Sequence, residues 1–244
     1  PLPLIFLMQE IPCFFIMADR HYQASLELYE KKFFDFAVFH LQQSVETGFK
    51  AYLMALEFSN LDEVKQKVGH KSSQILPLLS SKMISDIENK LGPLPEIIKK
   101  HIQENEHPIT EYASKIDDLV SIPLEIIEEL IKRIGDDNTR LLSIGEKFKG
   151  KELNFAEFVS LMTQYQYNIE EVLTTFSLIF EKHEQRSRYY DRQTGCPNEF
   201  YSESNPLVIK FPELSAIIKY TIKNLGIFIE NFNRFNSQFA NSSS

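Results

Sequence analysis

Glycine and cysteine are scarce in this 244-residue chain, and tryptophan is absent. Eight glycines are too few for the tight turns of a many-stranded β protein. The two cysteines, Cys13 and Cys196, have no C-x-x-C spacing and cannot form a zinc site by themselves; they read as free thiols in a reducing compartment rather than as a disulfide. There is no phosphate-cradling glycine loop, no G-x-S-x-G elbow and no H-E-x-x-H pair. An excess of positive charge is also missing. The chain carries 26 Lys+Arg against 34 Asp+Glu, a net charge of -8, which excludes coating nucleic acid by bulk charge and leaves room only for a local basic patch. No apolar run approaches the roughly 20 residues that span a bilayer, and no basic segment precedes the apolar start, so neither a membrane span nor a signal peptide is expected. The expected location is cytoplasmic.

What the chain does have is helical periodicity, together with 20 phenylalanines. Its start is apolar: Leu2, Leu4, Ile5, Phe6 and Leu7, then Ile11, Phe14, Phe15 and Ile16, with Glu10 and Pro12 between. Two readings stand for residues 1–17. They are extra sequence ahead of a protein that starts at Met17, or a packed N-terminal strand or arm. From Ala18 onward, apolar spacing predicts helices over Asp19–Lys32, Phe36–Phe58, Leu61–Val68, Ser72–Asn89 and from Pro95 to about Asn105. Further on it predicts Leu124–Ile134 with Gly135 placed to end it, Phe155–Met162 capped by Asn154, Ile169–Arg192, and Glu213–Phe239, with a long loop over Gln193–Pro212. The fold class is all-α, with residues 18–150 as one bundle and 151–244 as further helices packed on it.

The helix at Phe36–Phe58 is the most informative. At about 100° per residue, Ala37, Leu41, Ser44, Gly48, Ala51 and Ala55 fall on one stripe, and five of these six are small. Val38, Val45, Phe49, Tyr52 and Leu56 make a bulky flank, leaving a thin polar face of Gln42, Gln43, Glu46, Lys50 and Glu57 with Phe39 and Leu53 among them. Such a helix belongs at the centre of a bundle. Glycine in a helix interior costs about 1 kcal/mol relative to alanine, and close packing of a neighbour is the reason expected for Gly48.

These residues carry a resemblance. Leu28-Tyr29, then Phe36-Ala37-Val38-Phe39-His40-Leu41-Gln42-Gln43-Ser44-Val45-Glu46, then Lys50-Ala51-Tyr52-Leu53, with Gly69-His70-Lys71 following, resemble the HEPN domain over about residues 18–90. Glu46, Lys50-Ala51 and His70-Lys71 also look like the abortive-infection (AbiV) branch. The resemblance implies an up-and-down helical bundle, commonly a homodimer, whose members cleave RNA, accompany a nucleotidyltransferase or bind nucleotides, in settings such as phage defence and toxin–antitoxin systems. Ribonuclease members use an R-x(4–6)-H motif. It is absent here: Arg20 is followed at once by His21, and none of Arg133, Arg140, Arg186, Arg188, Arg192 and Arg234 has a histidine four to six residues on. The function expected is therefore binding of nucleotide, RNA or a protein partner, without catalysis.

Candidate site residues fall in two groups. His40, Gln43, Glu46 and Lys50, with His70 and Lys71, form a possible ligand-binding strip in which Lys50 meets a phosphate; the plainer reading makes Glu46 and Lys50 an intrahelical ion pair worth about 0.2–0.5 kcal/mol. Lys182, Arg186, Arg188 and Arg192 interleave with Tyr189 and Tyr190, cations for phosphate and rings for base stacking; the plainer reading is a solvated helix end. Two alternatives differ in class: a metal-independent ribonuclease using His183, Arg186 and Arg188, and a structural module whose partner docks on Phe39 and Leu53. Glu125, Glu128, Glu129, Asp136 and Asp137 fit a solvated helix face and a cap. No metal and no cofactor is expected.

Overall fold

The computed structural model describes residues 4–55, 93, 96, 121–148, 155–180 and 183–240. Among these residues the secondary structure is helical, with one isolated antiparallel bridge, between Asp191 and Gly195, and no strand. In chain order the helices are α1 (Leu4–Glu30), α2 (Phe34–Ala55), α3 (Leu124–Phe148), α4 (Phe155–Phe180), the short α5 (His183–Arg186), α6 (Pro197–Phe200) and α7 (Pro206–Ile209), and α8 (Phe211–Ala240). The helices expected at Leu61–Val68, Ser72–Asn89 and Pro95–Asn105 lie outside the described residues, as do His70, Lys71 and Lys182.

α1 and α2 form an antiparallel hairpin. The turn is a Schellman closure: Phe33 N–H donates to the Leu28 carbonyl and Lys32 N–H to that of Tyr29, both at 2.9 Å. Lys32 occupies the left-handed position at φ 63°, where glycine is usual. α1 is longer than the sequence predicts. The segment from Leu4 is helical and continuous with Asp19–Glu30, so it is not a strand, and Pro12 sits inside the helix, where it removes one backbone hydrogen bond. Tertiary burial offsets that loss, since Phe14 and Phe15 pack against the core and the Phe15 ring lies 3.4 Å from where a Cβ would stand on Gly226 of α8.

α2 touches α1, α4, α5, α6, α7 and α8. Its small stripe is interior as expected: Ala37, Leu41, Ser44, Gly48 and Ala51 are all buried. The Ser44 hydroxyl donates to the Ala18 carbonyl of α1 at 2.8 Å, an approach that a larger side chain would block. One hydrophobic cluster joins Tyr22, Val38, Phe49 and Tyr52 of the hairpin to Ile127 and Ile134 of α3, Phe176 and Ile179 of α4, and Phe211 and Leu225 of α8.

Two sequence boundaries change. Gly135 does not end α3, because buried Ile127, Leu130, Ile134, Leu141 and Ile144 continue one apolar stripe through it, and that burial exceeds the cost of a single glycine. Nor does one helix run from Ile169 to Arg192. The described helical residues stop at Arg186, and after α5 the chain turns. There the Asp191 carboxylate accepts from the backbone N–H groups of Gln193 (2.8 Å) and Thr194 (3.2 Å), offering the backbone an alternative to the helix. Gly195 at φ 77° closes the turn, and its N–H donates to the Asp191 carbonyl at 2.8 Å.

Candidate functional site

Neighbouring side chains on α2 satisfy most of its polar strip. The Lys50 ammonium donates to Glu46 Oε1 at 2.6 Å, while Glu46 Oε2 accepts from Gln42 at 2.9 Å and Gln43 at 3.2 Å. Gln43 also donates to the Gln42 side-chain oxygen Oε1 at 2.7 Å. Gln42 itself is buried. Lys50 and Glu46 are mostly covered, with side chains 21% and 13% exposed, so the pair is better shielded from solvent than a typical surface ion pair. Glu46 engages one of the three N–H donors of Lys50.

His40 has a partner that sequence reading passed over. Its Nδ1 lies 2.9 Å from Nδ1 of His21 on α1, one turn from Ala18. Both rings are half-buried, and burial holds both imidazoles below their ordinary value; the His21 charge lowers His40 further, whereas the Glu46 carboxylate raises His21. The signal for His21 was its place in a predicted helix antiparallel to α2, but nothing in the spacing set it at the level of His40.

The second group of candidates divides. His183 is 2% exposed; its Nδ1 lies 2.6 Å from the Tyr201 hydroxyl, and its ring packs against Phe200 and Tyr201. Burial raises the Tyr201 hydroxyl far above its ordinary range, with Arg186 pulling it down and Asp35 pushing it up. His183 is therefore a core histidine, away from any substrate that approaches from solvent. Arg186 stands half-buried at the edge of the same cluster. Arg188, Tyr189, Tyr190 and Arg192 are exposed and lie on the turn, not on a helix end.

Arg188 links the two groups. Its guanidinium sits 5.0 Å from the Phe39 ring centroid and 5.2 Å from that of Tyr189. Phe39 in turn meets His40 edge-on with ring centroids 5.2 Å apart, and the His40 and His21 centroids are also 5.2 Å apart. The result is a ladder His21–His40–Phe39–Arg188–Tyr189, from α1 across α2 to the turn after α5. Its outer end is open: Tyr189 is 60% and Tyr190 69% exposed. One guanidinium set between rings presents charge to a phosphate and π-faces to a base. Phe39 carries Arg188, and Leu53 is buried, so these two residues do not form the open docking face expected of them.

Among the described residues no group of three or more His, Cys, Asp or Glu side chains is placed to hold a metal ion, and no helix is long and apolar enough to cross a membrane. The residues read as a solvated acidic face of α3 separate: Glu128 pairs with Lys210 at 2.9 Å, whereas Asp137 is buried, with Oδ1 paired to Arg140 and Oδ2 lacking a hydrogen-bond partner.

No curated protein and no solved structure matches the chain. A family model does: residues 14–61 match the HEPN domain, so α1 from Phe14 onward and all of α2, which hold His21, His40, Glu46 and Lys50, are the HEPN-like part of this protein.

Proposed function

We propose that the ladder from His21 to Tyr189 binds single-stranded RNA or a nucleotide, without cleaving it. The observation that carries this reading is the contact of Arg188 with Phe39, which joins the HEPN-like hairpin to the two exposed tyrosines. Tyr189 and Tyr190 offer stacking surfaces, and Arg188, held between two rings, offers a cation to the backbone phosphate. Burial of His183 in a bond to Tyr201 speaks against the ribonuclease alternative built on His183, Arg186 and Arg188. The HEPN resemblance extends the proposal to a homodimer acting in phage defence or a toxin–antitoxin-type system, with a nucleotidyltransferase as a candidate protein partner.

Fluorescence anisotropy with short labelled RNA, and competition with ATP, tests the reading. Tyr189→Ala should weaken RNA binding about tenfold, within the range for one stacked base. Arg188→Ala should reduce the dependence of log K on log salt by about one unit. Absence of binding to both ligands at low salt would overturn it.

A further inference from the structure

The two histidines of the ladder meet head-on. Their Nδ1 atoms are 2.9 Å apart while the ring centroids are 5.2 Å apart, so the centroid separation is close to the N···N distance plus two ring radii. Both nitrogens therefore lie near the line between the rings. That is the arrangement of an N–H···N hydrogen bond with a single proton between two lone pairs; lone pairs converging on a metal ion would bring the centroids closer. One Nδ1 donates and the other accepts. In the neutral pair one Nε2 carries a proton and the other is bare. One more proton makes both Nε2 atoms donors and leaves the shared proton in place, whereas a second would set two N–H groups face to face at 2.9 Å. The folded pair thus has room for one added proton.

The charges around the pair are few. Among the described residues, Glu46 of α2 is the carboxylate that acts on His21, and His21 in turn acts on His40. Glu46 is itself engaged by Lys50, Gln42 and Gln43. Arg188 stands across Phe39 from His40, and the exposed Asp19 and Arg20 flank His21 along α1. With burial favouring the uncharged rings, an anion beside them is what would draw the extra proton in.

We propose that His21 and His40 form one proton-accepting unit, which takes up a single proton when a phosphodiester of single-stranded RNA binds along the ladder. The proposal rests on the RNA-binding reading and adds to it a pH gate on affinity. Calorimetric titration with a short oligouridylate at about pH 6.5, near the ordinary histidine value, in buffers of different ionisation enthalpy counts the protons. Uptake should approach one per complex, and affinity should rise by up to about tenfold for each pH unit below that point. Both effects should diminish in His21→Gln and in His40→Gln, which keep a polar group at each position and one ring, and vanish in the double variant. Binding without uptake, or unchanged uptake in the two variants, overturns the proton linkage alone. No binding at any pH overturns the linkage and the RNA-binding reading together. Imidazole nitrogen shifts of the free protein supply a separate check: two independent titrations at the ordinary value overturn the shared proton, while a coupled pair titrating below it agrees with it.

Discussion

At the level of single residues, histidine shows how far burial decides chemistry. His40 and His183 are equivalent as letters in a sequence, each beside an aromatic or basic neighbour. His183 faces Tyr201 inside the core, and Tyr201 has its hydroxyl aimed back at it. Replacing His183 with alanine leaves a buried hydroxyl without this partner and opens a cavity. The expected loss is about 2–3 kcal/mol of stability, read as a lower denaturation midpoint in urea at unchanged slope. A His183→Ala variant with wild-type stability would contradict the core role. Loss of any activity in this variant therefore has to be read against its folded fraction before a catalytic part is assigned to the residue.

At the level of elements, α2 packs as its small stripe requires, but the close packing expected at Gly48 is not found there. A Cβ built on Gly48 would meet Leu225 Cδ2 at 3.7 Å, an ordinary contact. It would point toward a narrow gap between α2, α4 and α8 lined by Ser44, Leu173, Phe176 and Thr221. Gly48→Ala should accordingly stabilise the protein by about 0.5–1 kcal/mol, the difference in helix propensity, measured as a higher denaturation midpoint. Destabilisation would mean that the gap closes against the helix. The close approach along the stripe belongs instead to Ser44, bonded to the Ala18 carbonyl. The tighter glycine contact is at Gly226, under the Phe15 ring. Tyr29 fastens the hairpin to the C-terminal helices, stacking on Phe211 with centroids 4.3 Å apart and donating to the Val208 carbonyl at 3.1 Å.

For the whole molecule, the histidine pair ties stability to pH. Both His21 and His40 are held below 6.5 in the fold, first by burial. In the window just below that value the unfolded chain therefore binds more protons than the folded one, so stability falls as pH drops. The fall becomes shallower once the folded pair takes its one proton, but it continues, because the unfolded chain binds one on each histidine. Melting temperature measured from about pH 7.5 to 5.5 should decline in the wild type, and the slope should flatten in the double variant His21→Gln, His40→Gln. A flat wild-type profile over that range would remove the linkage.

Local sequence determined the helical class, the interior stripe of α2 and the intrahelical bond of Glu46 to Lys50, because each depends on residues three or four apart on one helix. It also placed His40, Arg188 and Tyr189 among the candidates from their chemistry alone. Tertiary structure decided which of them meet. His21 and His40 are 19 residues apart and face each other only because the Schellman turn at Lys32 sets the register of the hairpin. Phe39 and Arg188 meet because α5 packs against α2 and the chain leaves its helical path after Arg186, beside that contact. Whether a histidine is buried against a tyrosine or shares a proton near the surface depends on neighbours from distant segments, and no local spacing encodes those.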